Sequence, residues 1–156
     1  SLRRGLEFAT ALESDSASLH GLVGDMVAAA KGGLRVLRDP TRGGLAATLN
    51  EIAAQSAVGI RLDEASLPVR PEVRGACELL GLDPLNVANE GKFIAIVEAD
   101  CAHPVLAAMR AHPLGGDAAI VGEIVEDPLQ LVRMITHIGG ERVIDWLHGE
   151  QLPRIC

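Results

Sequence analysis

A chain of 156 residues with a formal net charge of −7 has the length of one domain, and its acidity is the wrong sign for nucleic acid or an anionic membrane as main partner. Hydrophobic residues make up 48% and charged residues 22%, the balance of a folded globular protein, and the aromatics Phe8, Phe93 and Trp146 are too few to stack bases. The apolar runs, such as Met26–Ala30 and Phe93–Val97, are too short to span a bilayer, and no signal peptide is legible.

In chain order, the opening carries no recognisable start of a fold. It begins on Ser1 rather than Met, so the chain reads as a piece of a longer protein. Leu19, Leu22, Val23, Met26, Val27 and Ala30 then follow the spacing of an amphipathic helix, with Met26 and Val27 as core. Asp15 or Ser16 is its expected cap, and Gly32-Gly33 its end. Leu34–Arg38 reads as a strand. A second helix carries Leu45, Leu49, Ile52, Ala53 and Ser56 on one face, and Val58–Leu62 reads as the next strand. Pro71 opens a third helix with Val73, Ala76, Cys77 and Leu80 on its apolar side. After a loop over 81–89, Phe93–Glu98 reads as a buried strand, and Pro104 opens a fourth helix that Gly115-Gly116 closes. Ala118–Val125 and Leu131–Thr136 are strands, Gly139-Gly140 signals a hairpin, and Arg142–Trp146 is the returning strand. The order α-β-α-β-α-β-α-β-β-β predicts an α/β (α+β) fold, a mixed sheet layered with about four helices.

Three segments are candidates for chemistry. In Asp39-Pro40-Thr41-Arg42-Gly43-Gly44, between a strand and a helix, adjacent glycines let backbone N–H groups approach an anion, and the helix start adds partial positive charge. Arg42 can add a bidentate phosphate contact, Asp39 can hold a cation or amine, and Thr41 can cap the helix. An ordinary strand-to-helix turn accounts for the same residues. In Asn86–Lys92, Glu90 stands beside Gly91 at the mouth of a strand, where a carboxylate can act as general base; a plain polar turn is the alternative. Finally, Leu152-Pro153-Arg154-Ile155-Cys156 puts a thiol at the tip of an arm that Pro153 stiffens, where a thiolate can carry an acyl group; a chance cysteine at a frayed end is the alternative. Cys77 reads as core, and Cys101 with His103 makes no metal site. Three cysteines without a Cys-x-x-Cys pattern predict no disulfide framework and no metal, and a reducing cytoplasm.

Taken together, these segments resemble the C-terminal domain of the HypE family of hydrogenase maturation proteins, carbamoyl dehydratases of the aminoimidazole ribonucleotide synthetase and selenophosphate synthetase superfamily. The resemblance rests on Asp39–Leu45 with Asn50-Glu51-Ile52-Ala53, on Pro84-Leu85 through Asn89-Glu90-Gly91-Lys92, on Ile138-Gly139-Gly140 and on the terminal Pro153-Arg154-Ile155-Cys156. It implies that 1–149 form the C-terminal domain, that 150–156 are a flexible tail carrying the acceptor cysteine, and that the N-terminal ATP-binding domain is absent. It further implies that the carbamoyltransferase HypF loads a carbamoyl group onto Cys156. ATP with Mg²⁺, bound mostly by the absent domain, then drives its dehydration to thiocyanate. The cyano group passes to iron on a HypC–HypD scaffold, and the whole protein is a homodimer. Glu90 would assist proton removal. Asp39, Thr41, Arg42, Gly43 and Gly44 would face phosphate or the domain junction, and Pro153 and Arg154 would position the tail. Two other readings share the fold: another ATP-dependent enzyme of the superfamily, and a non-catalytic carrier and docking module.

Overall fold

A computed structural model describes residues 18–88 and 91–145. Helix α1 (His20–Ala30) buries Leu22, Met26 and Ala30. Val27 lies instead on its open side, 46% exposed, so the core stripe is one residue wide at that turn. Leu19 occupies the cap position without a side-chain bond, and its carbonyl accepts from the Val23 N–H at 2.9 Å. The expected caps Asp15 and Ser16 lie outside the described residues. Lys31, in the left-handed region at φ 47°, ends the helix one residue before Gly32.

Strand β1 (Leu34–Arg38) leads into helix α2 (Gly44–Ser56) and strand β2 (Gly59–Asp63). Ser56 is exposed rather than on the apolar face, because the helix buries Ala46, Leu49, Ile52 and Ala53 and Ser56 falls at its last turn. A 3₁₀ turn, Glu64–Ser66, precedes helix α3 (Pro71–Leu80), on which Cys77 is buried. A second 3₁₀ turn, Pro84–Asn86, leads to strand β3 (Ile94–Val97). A third, Ala99–Cys101, runs into helix α4 (Ala102–Ala111), so the helix starts before Pro104. Strands β4 (Gly122–Val125), β5 (Val132–Ile135) and β6 (Glu141–Val143) close the described chain.

The element order and the four helices follow the sequence reading. The strands divide between two sheets. One is an antiparallel ribbon of β1 and β3, with Arg38 opposite Ile94 and Leu34 opposite Val97. The other is a mixed four-stranded sheet in the order β4-β2-β5-β6, in which β2 runs parallel to β5 and antiparallel to β4. β3 is half-buried along its length rather than fully buried, because a two-stranded ribbon leaves an open edge beside each strand. The ribbon separates two cores. Val36, Ile94 and Ile96 pack toward α2 and the larger sheet, on a core that includes Leu49, Ile60, Val132 and Met134. Leu34, Ala95 and Val97 pack toward a smaller core of Met26, Ala30 and Val105 between α1 and α4. No helix among the described residues is long and apolar enough to cross a membrane.

Candidate functional site

The segment 39–44 sits where β1 hands over to α2. Pro40 is buried and turns the chain, while Asp39 and Arg42 are exposed and Thr41 is half-buried. Gly43 and Gly44 both have positive φ, 67° and 65°. Gly43 is the cap residue of α2, and no side chain caps the helix, so Thr41 does not take the capping role. The first N–H groups of α2 are therefore left to backbone geometry, as an anion-facing helix start requires. Arg42 makes no ion pair among the described residues.

Gly44 meets the second candidate segment. A Cβ at this position would lie 2.4 Å from the Leu85 carbonyl oxygen and 2.7 Å from that of Val87. Only glycine satisfies both that approach and the left-handed backbone. The loop 39–44 is thus pressed against the 3₁₀ turn from which the chain runs on toward position 90. That turn is firmly made. The Asp83 carboxylate accepts the Leu85 N–H at 2.9 Å, and its other oxygen accepts from Arg142 at 2.8 Å, tying the turn to β6. Leu85 itself is buried in the larger core. On the other side, Arg38 donates to Glu51 at 2.8 Å, fastening the end of β1 to α2. Glu90, Pro153, Arg154 and Cys156 lie outside the described residues.

Below the turn lies a cleft of about 370 Å³, lined by Glu64, Arg74, Leu85, Met134 and Arg142 among others. The Glu64 carboxylate accepts from the His137 backbone N–H and contacts its ring Nδ1, both at 2.9 Å. These two bonds, the backbone one first, hold the Glu64 carboxyl below the usual carboxylate range. Sequence reasoning missed the Glu64–His137 and Asp83–Arg142 pairs. The Asp83-Pro84 pair was the one local signal, since an Asp before a proline-led turn is a capping pattern.

The remaining thiols are structural. Burial first, and then the Asp83 charge, push the Cys77 thiol up. Burial, then Asp100 and Glu98, push Cys101 up as well, and its S–H donates to the Ala30 carbonyl at 3.4 Å. Glu98, Asp100 and Cys101 bring one ligand atom each within 4.8 Å of one another.

Residues 1–135 match the family described as AIR synthase related protein, C-terminal domain. The chain is 62% identical over all 156 residues to the carbamoyl dehydratase HypE of Rhizobium leguminosarum bv. viciae, of which it covers 45%. It is similar to a crystal structure of the hydrogenase maturation protein HypE in complex with ATP, with a TM-score of 0.90 and 48% identity, covering 100% of this chain and 48% of that one. It is likewise similar to HypE in a HypE–HypF complex, with a TM-score of 0.87 and 42% identity over 94% of this chain and 47% of that one. The chain thus spans about half the length of the relatives it matches.

Proposed function

The chain belongs to the family of AIR synthase related protein C-terminal domains, and from that footing we propose that it is the C-terminal part of an ATP-dependent carbamoyl dehydratase of the HypE kind, acting in [NiFe]-hydrogenase maturation. The identity to HypE across the full chain and the likeness to an ATP-bound HypE support this reading. In it, the sulfur of Cys156 carries a carbamoyl group, which loses its oxygen and both amide protons to leave a thiocyanate. ATP supplies the phosphoryl group that takes the oxygen away as phosphate. It is held, with Mg²⁺, mostly by an N-terminal domain, and the whole protein is a homodimer.

The residues of this chain then have defined tasks. Glu90 takes an amide proton as the C≡N bond forms. The uncapped start of α2, with Gly43 and Gly44, and the exposed Arg42 face negative charge at the domain junction. Asp39 and Thr41 support that loop. Residues 150–156 form the arm, which Pro153 stiffens and Arg154 steers. HypF loads the arm, a role in keeping with the likeness to HypE in a HypE–HypF complex. A HypC–HypD scaffold receives the cyano group on iron, and the work takes place in the cytoplasm.

The observation that carries the proposal is the packing of Gly44 on the Leu85 and Val87 carbonyls. It brings the anion-facing loop against the segment leading to Glu90, two regions about forty positions apart in the sequence. The test is Glu90→Gln in the whole protein, which keeps size and removes the base. Mass spectrometry of the terminal peptide is expected to show the carbamoyl adduct on Cys156 persisting after ATP is added. Conversion at the normal rate would remove Glu90 from the reaction, and failure of Cys156 to accept a carbamoyl group at all would remove the proposal.

A further inference from the structure

Asn50 is one of only two polar residues buried among the described residues, and it sits in the middle of α2. Both groups within its reach are carbonyls. Its amide nitrogen donates to the Ala46 oxygen and to the Ile144 oxygen, each at 2.9 Å. The Ala46 bond is a local one along the helix. The Ile144 bond is not, since it joins residues 94 positions apart. Ile144 is held from its other side as well, because its N–H donates to the Val132 carbonyl at 2.8 Å and its side chain is buried in the larger core. Ile144 is therefore the last core residue among the described ones and the root of the twelve positions that lead on to Cys156.

We infer that Asn50 is a positioning residue that pins the Ile144 carbonyl to α2 and so fixes the root of the cysteine-bearing arm relative to the loop 39–44 and the turn 84–87. This rests on the function proposed above. α2 is the common member: its first residue packs on the turn, and its middle holds the root. Twelve residues, the last seven of them the arm proposed above, reach at most about 40 Å from that root. The delivery of its tip to one fixed place is an intramolecular encounter, governed by the effective concentration that a defined root and length impose. Loading of the tip by a separate protein is bimolecular and does not depend on where the root sits. The two steps should therefore respond differently when the pin is removed.

The experiment uses the whole protein with Asn50→Leu, similar in size and unable to donate, and with Asn50→Asp, which keeps the shape but turns oxygens toward both carbonyls. Mass spectrometry follows carbamoyl loading of Cys156 and, separately, its conversion after ATP is added. The expected result is loading at the normal rate and conversion slowed about tenfold. Amide exchange at Ile144 should quicken while that at Ile60, in the same sheet, stays unchanged. Conversion at the normal rate overturns the inference. So does an equal loss of both steps, or failure of both variants to fold, since either makes Asn50 simply structural. No conversion with Asn50 intact would instead count against the proposed function, and against the inference with it.

Discussion

Helices α1 and α2 are built alike and used differently. They have 11 and 13 residues, neither has a side-chain cap at its start, and each ends on a non-glycine residue in the left-handed region, Lys31 and Ala57. α1 buries three residues, all apolar, against α4 and one face of the ribbon. α2 buries seven, Thr48 and Asn50 among them, and its first residue lies against the carbonyls of another segment. α1 is thus a buttress whose partners are hydrocarbon, and any well-shaped apolar stripe would serve. α2 is an organiser. It joins the loop 39–44, the turn 84–87 and the root at Ile144 through contacts that depend on single atoms.

Substitutions at glycines in the two helices break or sharpen this contrast. Gly44→Ala has the largest expected effect. Left-handed strain and the clash with Leu85 and Val87 add to a loss of about 2–5 kcal/mol. Chemical denaturation would read it, and a change below about 0.5 kcal/mol would mean that the two segments are not pressed together. Gly24→Ala, in α1, has the opposite sign. Nothing lies within 4 Å of the added methyl, so replacing a flexible residue in a helix should stabilise by about 0.5–1 kcal/mol. Destabilisation there would show that α1 has a close neighbour after all.

The smallest effect concerns reactivity rather than stability. Cys101 fastens the end of α1 through its bond to the Ala30 carbonyl, and burial with nearby carboxylates raises its pKa. A raised thiol pKa means less thiolate at any given pH, so alkylation by iodoacetamide should run slower than that of free cysteine. Its pH profile should be displaced to the alkaline side. Peptide mass spectrometry across a pH series checks this, and a profile matching free cysteine would mean that the thiol is not held as described.

Local chemistry made much of the fold legible. Pro71 does open α3, Val73, Ala76, Cys77 and Leu80 do form its less exposed side, and Gly139 does turn the β5–β6 hairpin at φ 82°. The errors came where one pattern admits two answers. Val27 and Ser56 fit a periodic stripe, yet α1 and α2 present a narrower face to their neighbours. The apolar run 93–97 suggested a fully covered strand, but a ribbon with two open edges accommodates the same run half-buried. At the site, the glycine pair and the loop over 81–89 were legible as separate turn segments, with nothing in either to say that they touch.

The sequence by itself determined the order of the elements and the glycine-rich turn between β1 and α2, while α4 ends at Ala111, short of the Gly115-Gly116 pair expected to close it. The order and the turn follow from backbone freedom and apolar spacing, which act within a few residues. Only the tertiary structure decided that the strands form two sheets, that Gly44 rests on the Leu85 and Val87 carbonyls, that His137 answers Glu64, and that Asn50 holds Ile144. The reason is physical. Two of these contacts end on backbone oxygens, which every residue carries alike, and all of them join positions far apart in the chain. No local pattern marks which carbonyl will be met. The choice is made when the whole apolar inventory packs, and the polar atoms then find the partners that packing leaves beside them.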